Sequence, residues 1–324
     1  MRRIENYSEE LIKKFQDDVI EGLLSEPKCI PSRYLYNKEG DRLFQEIMQL
    51  PEYYLTRCEY EILETQKEAL MLKFVKDNYD FDIIELGAGD GYKTRILLEY
   101  VNSKIPDFTY YPVDISENSL LKLNHNLSSE ITGLNIVPVA DDYLNALNFI
   151  PENGRKKIVL FLGSSIGNFR KDETIKFLSE IGKRMNRHDL LLIGFDLKKD
   201  PRMILKAYKD RLGITDKFQL NILHRMRNEL KADVDISLFE YFPEYNPVSG
   251  EVNSYIFSKK DTEIYLPFRD AKIKLNAYEP IHTEVSRKFS LQEITELAKV
   301  CGFNVSGNFL DGKQYFADSL WEKK

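Results

Sequence analysis

A glycine-rich turn follows an apolar run early in the central part of the chain. Residues 85–91 read Glu-Leu-Gly-Ala-Gly-Asp-Gly and come directly after Phe81-Asp82-Ile83-Ile84. Glycines at alternate positions let a chain leave a buried strand, turn tightly and lie against a bulky ligand, because no Cβ is in the way. A dinucleotide-binding turn would need a glycine at position 92, which is Tyr92, and the Gly-Lys-Ser/Thr ending of a phosphate-binding loop is missing. Taken alone, such a turn can also be a plain strand-to-helix connection.

Acidic residues follow the next two strand-like runs. The run 108–113 ends at Asp114, and the run 135–139 leads to Asp141 and Asp142. An acid at the end of the second strand is a usual place to hold ribose hydroxyls by charge-assisted hydrogen bonds. An acid after the third strand can accept a hydrogen bond from an adenine amino group. These residues favour a nucleoside ligand, and the acid-x-Gly-x-Gly-x-Gly spacing resembles the first motif of class I S-adenosylmethionine (SAM) methyltransferases.

Composition and charge narrow the class of protein. The chain has 324 residues, 43% of them apolar, which is enough for one large domain or two intimate ones. A net charge of −6 gives no electrostatic footprint for nucleic acid. Three scattered cysteines imply neither a disulfide framework nor a metal site, and no run is long and apolar enough for a signal peptide or a membrane span. We expect a cytoplasmic monomer with no nucleic acid, membrane or metal partner.

Alternation of apolar and amphipathic segments predicts the fold of the central region. Between about 60 and 200, near-continuous hydrophobic runs, including 157–162 and 189–195, are separated by segments with helical periodicity. This pattern is typical of a parallel sheet covered on both faces, whose ligands bind at the carboxyl ends of the strands. At the end of the chain, a helix from Ser290 to Cys301 precedes two strands joined by Asp311-Gly312, the usual closure of a class I methyltransferase sheet.

The remaining segments flank this domain in sequence. Residues 201–230 look helical, and 236–280 look strand-rich and aromatic. We therefore predict an α/β protein in which 60–200 plus 287–324 form a Rossmann-like, class I SAM-binding domain. Residues 1–59 plus 201–286 are expected to form a second, discontinuous α+β lobe that recognises the substrate. The alternative is that these two segments share no core.

Several further blocks resemble one family, the histidine-specific SAM-dependent methyltransferases, which include the L-histidine Nα-methyltransferases of ergothioneine biosynthesis. The similarity runs from about Pro31 to Phe303, and the Pro-Glu-Tyr-Tyr, Gly-Asn and Thr-Glu-Val-Ser blocks are its most specific parts. The blocks are Tyr34-Leu35-Tyr36, Leu50-Pro51-Glu52-Tyr53-Tyr54-x-Thr56-Arg57-x-Glu59, Glu85-Leu86-Gly87-x-Gly89, Lys93-Thr94, Pro112-Val113-Asp114-Ile115-Ser116, Phe161 to Asn168, Asp196-Leu197-x-Lys199-Asp200, Ala207-Tyr208 and Thr283-Glu284-Val285-Ser286-x-Lys288-Phe289.

The resemblance implies transfer of up to three methyl groups from SAM to the α-amino nitrogen of histidine. It places the cofactor against Gly87, Ala88 and Gly89, with Tyr36 and Lys93 at its amino-acid end, Asp114 at the ribose and Asp141 with Asp142 at the adenine. It implies that Asn168 and Tyr53 face the α-amino group as the catalytic pair. It further implies that Tyr208 holds the substrate carboxylate, while Glu284 and Ser286 bind the imidazole.

The residues themselves leave plainer interpretations open. A Gly-Asn pair such as Gly167-Asn168 often marks a left-handed turn position, so Asn168 could have only a local role. Glu284 could form a surface ion pair with Arg287 or Lys288, and such exposed pairs are frequent and weak. If Glu284 instead accepts an imidazole N–H, a substrate lacking that group would leave it unsatisfied, at about 1–3 kcal/mol per buried group.

Two positions depart from the family pattern. Ser254 stands where a methionine often lies beside the imidazole, although a shift of one residue would put Tyr255 there. Asp142 occupies a position where an aromatic residue could flank the adenine, and Tyr143 is a possible substitute. Three alternatives to histidine methylation therefore stay open: Nα-methylation of another amino acid such as a tryptophan derivative; methylation of a protein, nucleic acid or quinone; and SAM binding without catalysis.

Overall fold

The protein is described by a computed structural model covering residues 2–76, 80–105 and 107–324. The α-helices are α1 (Arg2–Leu24), α2 (Lys38–Gln49), α3 (Leu55–Phe74), α4 (Thr94–Lys104), α5 (Glu117–Glu130), α6 (Tyr143–Phe149), α7 (Lys171–Lys183), α8 (Pro201–Tyr208), α9 (Ile214–Glu229) and α10 (Leu291–Val300). The strands are β1 (Phe81–Leu86), β2 (Thr109–Asp114), β3 (Asn135–Ile136), β4 (Val139–Ala140), β5 (Lys156–Phe161), β6 (Leu190–Asp196), β7 (Phe239–Asn246), β8 (Glu251–Ser258), β9 (Thr262–Leu266), β10 (Ala271–Leu275), β11 (Pro280–Arg287), β12 (Phe303–Leu310) and β13 (Phe316–Lys323). Short 3₁₀ helices span Ser32–Leu35, Ser165–Asn168, Ile236–Leu238 and Pro267–Arg269.

The largest sheet has eight strands in the order β12-β13-β6-β5-β1-β2-β3, with β4 also paired to β2. Strands β1 to β6 pair in parallel, whereas β13 runs antiparallel to both β6 and β12. Every residue of β1 and β6 is buried, as expected of strands covered on both faces. The parallel sheet and its antiparallel closing hairpin confirm the predicted class I methyltransferase fold.

The third strand of this sheet differs from the prediction. A single run over 135–139 was expected, but the chain forms two separate two-residue strands, β3 and β4. Pro138 lies between them and has no N–H to donate to a sheet ladder, so continuous pairing is interrupted there.

The described residues divide into two compact units. The first unit comprises Met1–Tyr54 and Lys199–Ser286, and the second comprises Leu55–Lys198 and Arg287–Lys324. The second unit contains the eight-stranded sheet, whose core includes Ile84, Phe161 and Trp321. The first unit has its own core, in which helix α9 packs with the sheet β11-β8-β7 and the hairpin β9-β10.

Alternating burial explains how the first unit's sheet forms. Strand β8 alternates buried and partly exposed residues along its whole length, and β7 alternates over its first six residues. Because side chains of a strand point alternately to its two faces, one face of this sheet packs against the core. Among the described helices, none has the length and apolar character required to traverse a bilayer.

Candidate functional site

The glycine-rich turn of the second unit is shaped to leave room beside its backbone. The N–H groups of Gly87 and Ala88 both donate to the carbonyl oxygen of Val113, at 2.8 and 3.1 Å, which fixes the turn against the end of β2. Gly89 has φ +55°, and a Cβ built there would meet no heavy atom within 4 Å. Gly91 also has positive φ, and a Cβ there would lie 2.3 Å from Leu123. The backbone at Gly89 is therefore open to a ligand, whereas Gly91 is required for packing.

Two of the predicted nucleoside-binding acids border this turn at the ends of β2 and β4. The carboxylate of Asp114 accepts from the N–H of Gly89 at 3.3 Å and from that of Ser116 at 2.9 Å, and its side chain is only partly buried. Asp141 is also partly exposed. An open glycine backbone with accessible carboxylates beside it is a donor and acceptor set that fits an adenosine.

Asp142 has a different environment from the other two acids. It is the N-cap of α6, and its Oδ1 accepts from the N–H groups of Leu144 and Asn145, both at 3.0 Å. Its Oδ2 accepts from the side-chain amide of Asn145 at 2.5 Å. Both carboxylate oxygens thus serve the helix cap. A cofactor contact of Asp142 stays a prediction, and the structure gives this residue a capping role.

Tyr143 is the aromatic residue that lies beside the turn. Its hydroxyl oxygen is 3.0 Å from the Cβ position of Gly87, and its ring packs edge-on against Phe161 at 5.7 Å. Burial, and then the nearby charge of Asp114, raise the pKa of Tyr143 to about 12. The phenol is therefore neutral and available as a hydrogen-bond donor at this edge of the sheet.

Lys93 of the turn forms an ion pair with a buried acid from α3. The Lys93 ammonium contacts Glu59, whose side chain is buried and whose other oxygen accepts from the N–H of Gly163 at 2.7 Å. Burial alone would lower the pKa of Lys93, but the charge of Glu59, its hydrogen bond and the nearby acids Asp318 and Glu85 together outweigh burial, so the pKa is raised. Glu59 thus connects the loop after β1 with the loop after β5, both of which carry predicted site residues.

A second acid, Asp318 of β13, lies near this ion pair. Its side chain is fully buried, and neither carboxyl oxygen has a hydrogen-bond partner among the residues that the structure describes. Burial, and then the charge of Glu59, raise the pKa of Asp318 well above 3.8. Burial and the neighbouring Glu59 carboxylate therefore both favour the protonated form of Asp318, beside the ion pair of Lys93 with Glu59.

The acid of the glycine-rich motif holds the sheet rather than a ligand. Glu85 is buried in β1 and accepts hydrogen bonds from the hydroxyl groups of Thr94 and Tyr110. Burial raises the pKa of Glu85 to about 7, although both hydrogen bonds and the charge of Lys93 favour the ionised form. The motif acid thus fastens β1 to the start of α4 and to β2.

Replacement of Glu85 by glutamine is expected to change how stability depends on pH. An acid with a raised folded-state pKa stabilises the fold fully below its ordinary pKa of 4.5 and loses that contribution as the pH rises to about 7. Between pH 5 and 8 the parent protein should lose about 2–3 kcal/mol more than Glu85→Gln. Urea denaturation followed by fluorescence of the single, fully buried Trp321 measures this difference. Equal slopes for the two proteins would contradict the prediction.

Asn168 ends the short helix after β5 and is exposed. The positive φ angles of this loop belong to Gly163 (78°) and Ser164 (59°), so the interpretation of Asn168 as a left-handed turn residue is wrong. Gly167 has a separate reason to lack a side chain, because a Cβ there would lie 2.7 Å from the backbone oxygen of Arg287. The loop therefore presents the Asn168 side chain from a rigid backbone at the carboxyl end of β5.

In the first unit, Glu284 is held by a buried amide. Gln219 of α9 donates from Nε2 to Oε2 of Glu284 at 2.8 Å, and its Oε1 accepts from the hydroxyl of Thr283 at 2.7 Å. The two cations considered as alternative partners of Glu284 have acids of their own. Arg287 contacts Glu293, and Lys288 contacts Asp196. Glu284 is thus part of an ordered polar network.

Three other predicted substrate residues lie in the same unit. Tyr208 donates to the Oγ of Ser286 at 2.7 Å. Ser254 is buried, with its Oγ 3.2 Å from the hydroxyl of Tyr241, whereas the neighbouring Tyr255 packs on the imidazole of His282. Of the two candidates for the family's methionine position, Ser254 is therefore the one that joins this cluster. Its backbone oxygen is also 3.1 Å from the hydroxyl of Thr283.

Tyr36 and Tyr53 belong to one aromatic group in the first unit. Both pack edge-on against Phe44, at 5.8 and 6.2 Å, and Tyr36 also contacts Phe218 at 5.4 Å. Tyr53 is partly exposed, whereas the adjacent Tyr54 is buried. The Pro-Glu-Tyr-Tyr block thus turns one ring inwards and leaves the other accessible.

Four residues of these clusters have no role that the sequence alone assigned. They are Glu59, Gln219, Tyr241 and Tyr143. Tyr143 was considered only as a possible substitute for an aromatic residue that flanks the adenine. Glu59 ends a block that resembles the family, which was a usable signal. Gln219 and Tyr241 lie outside every such block, and a buried glutamine on an amphipathic helix has no distinctive pattern.

Known proteins provide an independent comparison. A histidine N-alpha-methyltransferase of Mycolicibacterium smegmatis is 33% identical over 283 residues, which cover 87% of each protein. Ergothioneine biosynthesis protein 1 of Neurospora crassa is 30% identical over 301 residues, covering 89% of this chain and 32% of that protein. A 4-dimethylallyltryptophan N-methyltransferase of Epichloe festucae var. lolii is 25% identical over 307 residues, or 88% of each protein.

The model of one family, described as a histidine-specific, SAM-dependent methyltransferase, matches residues 15–323. It therefore spans nearly all of both units. The predicted enzyme class and cofactor are confirmed by this match and by the relative that is 33% identical. The chain belongs to the histidine-specific, SAM-dependent methyltransferase family.

Proposed function

We propose that this protein transfers methyl groups, up to three in succession, from SAM to the α-amino nitrogen of free L-histidine, as in the first step of ergothioneine biosynthesis. The observation that carries the proposal is the polar cluster of the first unit, in which Glu284 is oriented by Gln219 and Ser286 accepts from Tyr208. This cluster lies in a chain whose family is histidine-specific. The first unit recognises the amino acid, and the second unit binds the cofactor.

The cluster matches the hydrogen-bonding pattern of a neutral imidazole. Such a ring has one N–H donor and one acceptor nitrogen. The carboxylate of Glu284 can accept from the N–H. The Oγ of Ser286, 2.7 Å from the hydroxyl of Tyr208, is proposed to serve the other ring nitrogen. Ser254 and Tyr241 add a polar wall in place of the family's frequent methionine. Tyr208 is also proposed to hold the substrate carboxylate, for which its single hydroxyl hydrogen turns from Ser286 to the carboxylate when histidine binds.

The residues that bind the cofactor are also proposed here, and most of them belong to the second unit. Gly87, Ala88 and Gly89 provide the backbone against which an adenosine lies, with Asp114 at the ribose and Asp141 at the adenine. Lys93, held by Glu59, is proposed to sit with Tyr36 at the amino-acid end of the cofactor. When bound, SAM supplies a methyl group already activated on a sulfonium, so no covalent nucleophile is needed.

The main task of the protein is then to position the amine. Holding two reactants in attack geometry can supply about 7–11 kcal/mol of the barrier. The α-amino group must first lose a proton, which a water held by Tyr53 or Asn168 carries to solvent. The amide oxygen of Asn168 then accepts a hydrogen bond from the remaining N–H, which points the nitrogen lone pair at the methyl group. Tyr53 contacts the same group directly or through water. Both are proposed as the catalytic residues, since they touch the reacting nitrogen.

Incubation with SAM and a panel of free amino acids, followed by mass spectrometry, tests the function. Gains of one to three methyl groups on histidine alone are expected. The panel includes tryptophan and a prenylated tryptophan, because a relative is named for that substrate. A gain on tryptophan derivatives alone would favour the alternative amino-acid methyltransferase, and no gain on any amino acid would refute both.

Replacement of Asn168 by alanine is expected to reduce kcat/KM for histidine about ten-fold, because a hydrogen bond to the reacting amine is lost. SAM affinity, measured by calorimetry, should stay nearly unchanged. Asn148→Ala is a matched control, since Asn148 is exposed in the same unit and its side-chain oxygen accepts from Arg184. Lost SAM binding in Asn168→Ala would count against the assignment.

The remaining expectations about partners are proposals of the same kind. We propose a cytoplasmic monomer without nucleic acid, membrane or metal partners, and the net charge of −6 supports the absence of nucleic acid among these. Light scattering of the purified protein with and without SAM tests the monomer, and a dimer in either state would refute it.

A further inference from the structure

Helix α9 carries a glutamine where its neighbours are apolar. Gln219 is 1% exposed, and residues Phe218, Ile222 and Leu223 around it belong to the core of the first unit. Burying an amide without partners costs free energy, since its carbonyl and its NH₂ group both lose hydrogen bonds to water. We therefore expect a glutamine at this position to have hydrogen-bond partners for both its side-chain carbonyl and its NH₂ group.

Gln219 has those partners, and they lie on consecutive residues of β11. Its Nε2 donates to Glu284 Oε2 at 2.8 Å, and its Oε1 accepts from Thr283 Oγ1 at 2.7 Å. A carboxylate can only accept, so the NH₂ end of the amide must face Glu284. The carbonyl end must then face Thr283, whose hydroxyl lies 2.7 Å from it and 3.1 Å from a second acceptor, the backbone oxygen of Ser254. The polarity of the whole chain of bonds is thereby fixed, with Thr283 and Gln219 buried.

We propose that Gln219 is a positioning residue for substrate specificity, which holds the Glu284 carboxylate in the one orientation that accepts an imidazole N–H. This inference rests on the proposed function, in which Glu284 binds the imidazole. Gln219 does not touch the reacting atoms. Its effect is to keep Glu284 from rotating, so that the binding energy of histidine is not reduced by ordering that side chain.

A purely structural role for Gln219 makes a different prediction. If the amide only tied α9 to β11, its loss would lower stability, but its effect on kcat/KM for histidine would not depend on whether residue 284 is a carboxylate. Positioning instead makes the effect of Gln219 on histidine binding depend on Glu284. A double-mutant cycle separates the two, because residues that act through each other give non-additive losses.

The cycle compares the parent protein, Gln219→Met, Glu284→Gln and the double variant, with kcat/KM for L-histidine as the readout. Gln219→Met is expected to lower kcat/KM about ten-fold, mainly through KM, with kcat and SAM affinity nearly unchanged. In the Glu284→Gln background, the same substitution should cost less than about two-fold. Additive losses, or an unchanged KM in Gln219→Met, would overturn the proposal.

Asn221 provides a matched control on the same helix. It is also a buried amide with two partners, the backbone oxygen of Leu35 at 2.9 Å and Oδ1 of Asn37 at 3.0 Å. Asn221→Leu is expected to lower the melting temperature, and any change in kcat/KM should be the same with Glu284 or with glutamine at 284. Coupling of Asn221 to Glu284 as strong as that of Gln219 would overturn the proposal.

A second variant covers the case in which Gln219→Met does not fold. Gln219→Glu has nearly the same shape, still accepts from Thr283, and removes the donor that faces Glu284. Its KM for histidine should rise more at pH 8 than at pH 6, because a protonated carboxyl can still donate and an ionised one repels. A pH-independent KM would count against positioning. A parent protein that methylates other amino acids but never histidine would refute the proposed function itself, whereas additive losses on histidine would refute only the role of Gln219.

Discussion

Replacement of Glu284 by alanine is expected to lower kcat/KM for L-histidine about a hundred-fold. A hydrogen bond to a charged group contributes about 1.5–3 kcal/mol, and the variant would also leave the Nε2 of buried Gln219 without its acceptor. Because both losses affect the substrate and not the cofactor, SAM affinity should change by less than about two-fold. Steady-state kinetics with histidine and calorimetry with SAM provide the two measurements.

A selectivity measurement sharpens this prediction. A site built to hydrogen-bond a substrate group rejects analogues that lack it, since its own polar groups would be left unsatisfied. Glu284→Ala should therefore lose activity on histidine while its activity on amino acids with apolar side chains is unchanged or higher. Glu263→Ala is the control, because Glu263 is an exposed strand residue of the same unit that pairs with Lys272. Unchanged use of histidine by Glu284→Ala would contradict the assignment.

Local patterns carried most of the fold prediction. The apolar runs that became β1, β2, β5 and β6 are short, continuous and separated by helical periodicity, so their type and order do not depend on distant residues. The closing helix α10 begins at Ser290 with a capping box to Glu293, a signal that is readable over four residues. Where a local signal was overlooked, as with Pro138, the predicted strand was wrong in detail.

The roles of individual site residues depended on partners far along the chain. Glu59 accepts from Gly163, which is 104 residues away, and Gln219 contacts Glu284, which is 65 residues away. No spacing rule connects such pairs, because only the folded backbone brings them within hydrogen-bond distance. The roles of the acids near the turn were also not distinguishable from the sequence alone. Asp114 and Asp142 both follow strand-like runs, yet one borders the open turn and the other caps a helix.

Replacement of Lys288 by methionine is expected to lower the free energy of unfolding of the second unit by about 3–5 kcal/mol. Lys288 Nζ lies 2.9 Å from Asp196 Oδ2, and both side chains are 0% exposed. Removing one partner breaks a fully buried ion pair and leaves the other charge in a low-dielectric interior without that counter-ion. Urea denaturation followed by Trp321 fluorescence reports this unit, since the chain has one tryptophan and it is buried in that core.

We attribute the large loss of stability in Lys288→Met to the burial of the ion pair. Two further variants test the effects of burial and of charge separately. Lys183→Met, in the same unit, removes the cation of a largely exposed pair with Glu180, so it should cost less than about 1 kcal/mol. The double variant Lys288→Met/Asp196→Leu removes both buried charges and should recover most of the lost stability, because no ion is left uncompensated. The backbone bonds from Phe289 N–H to the Asp196 oxygen and from Lys198 N–H to the Phe289 oxygen, both 2.9 Å, remain in every variant. If the double variant is as unstable as Lys288→Met, the attraction between Lys288 and Asp196 stabilises the fold by itself. The loss in Lys288→Met would then not come from a buried charge left without its counter-ion.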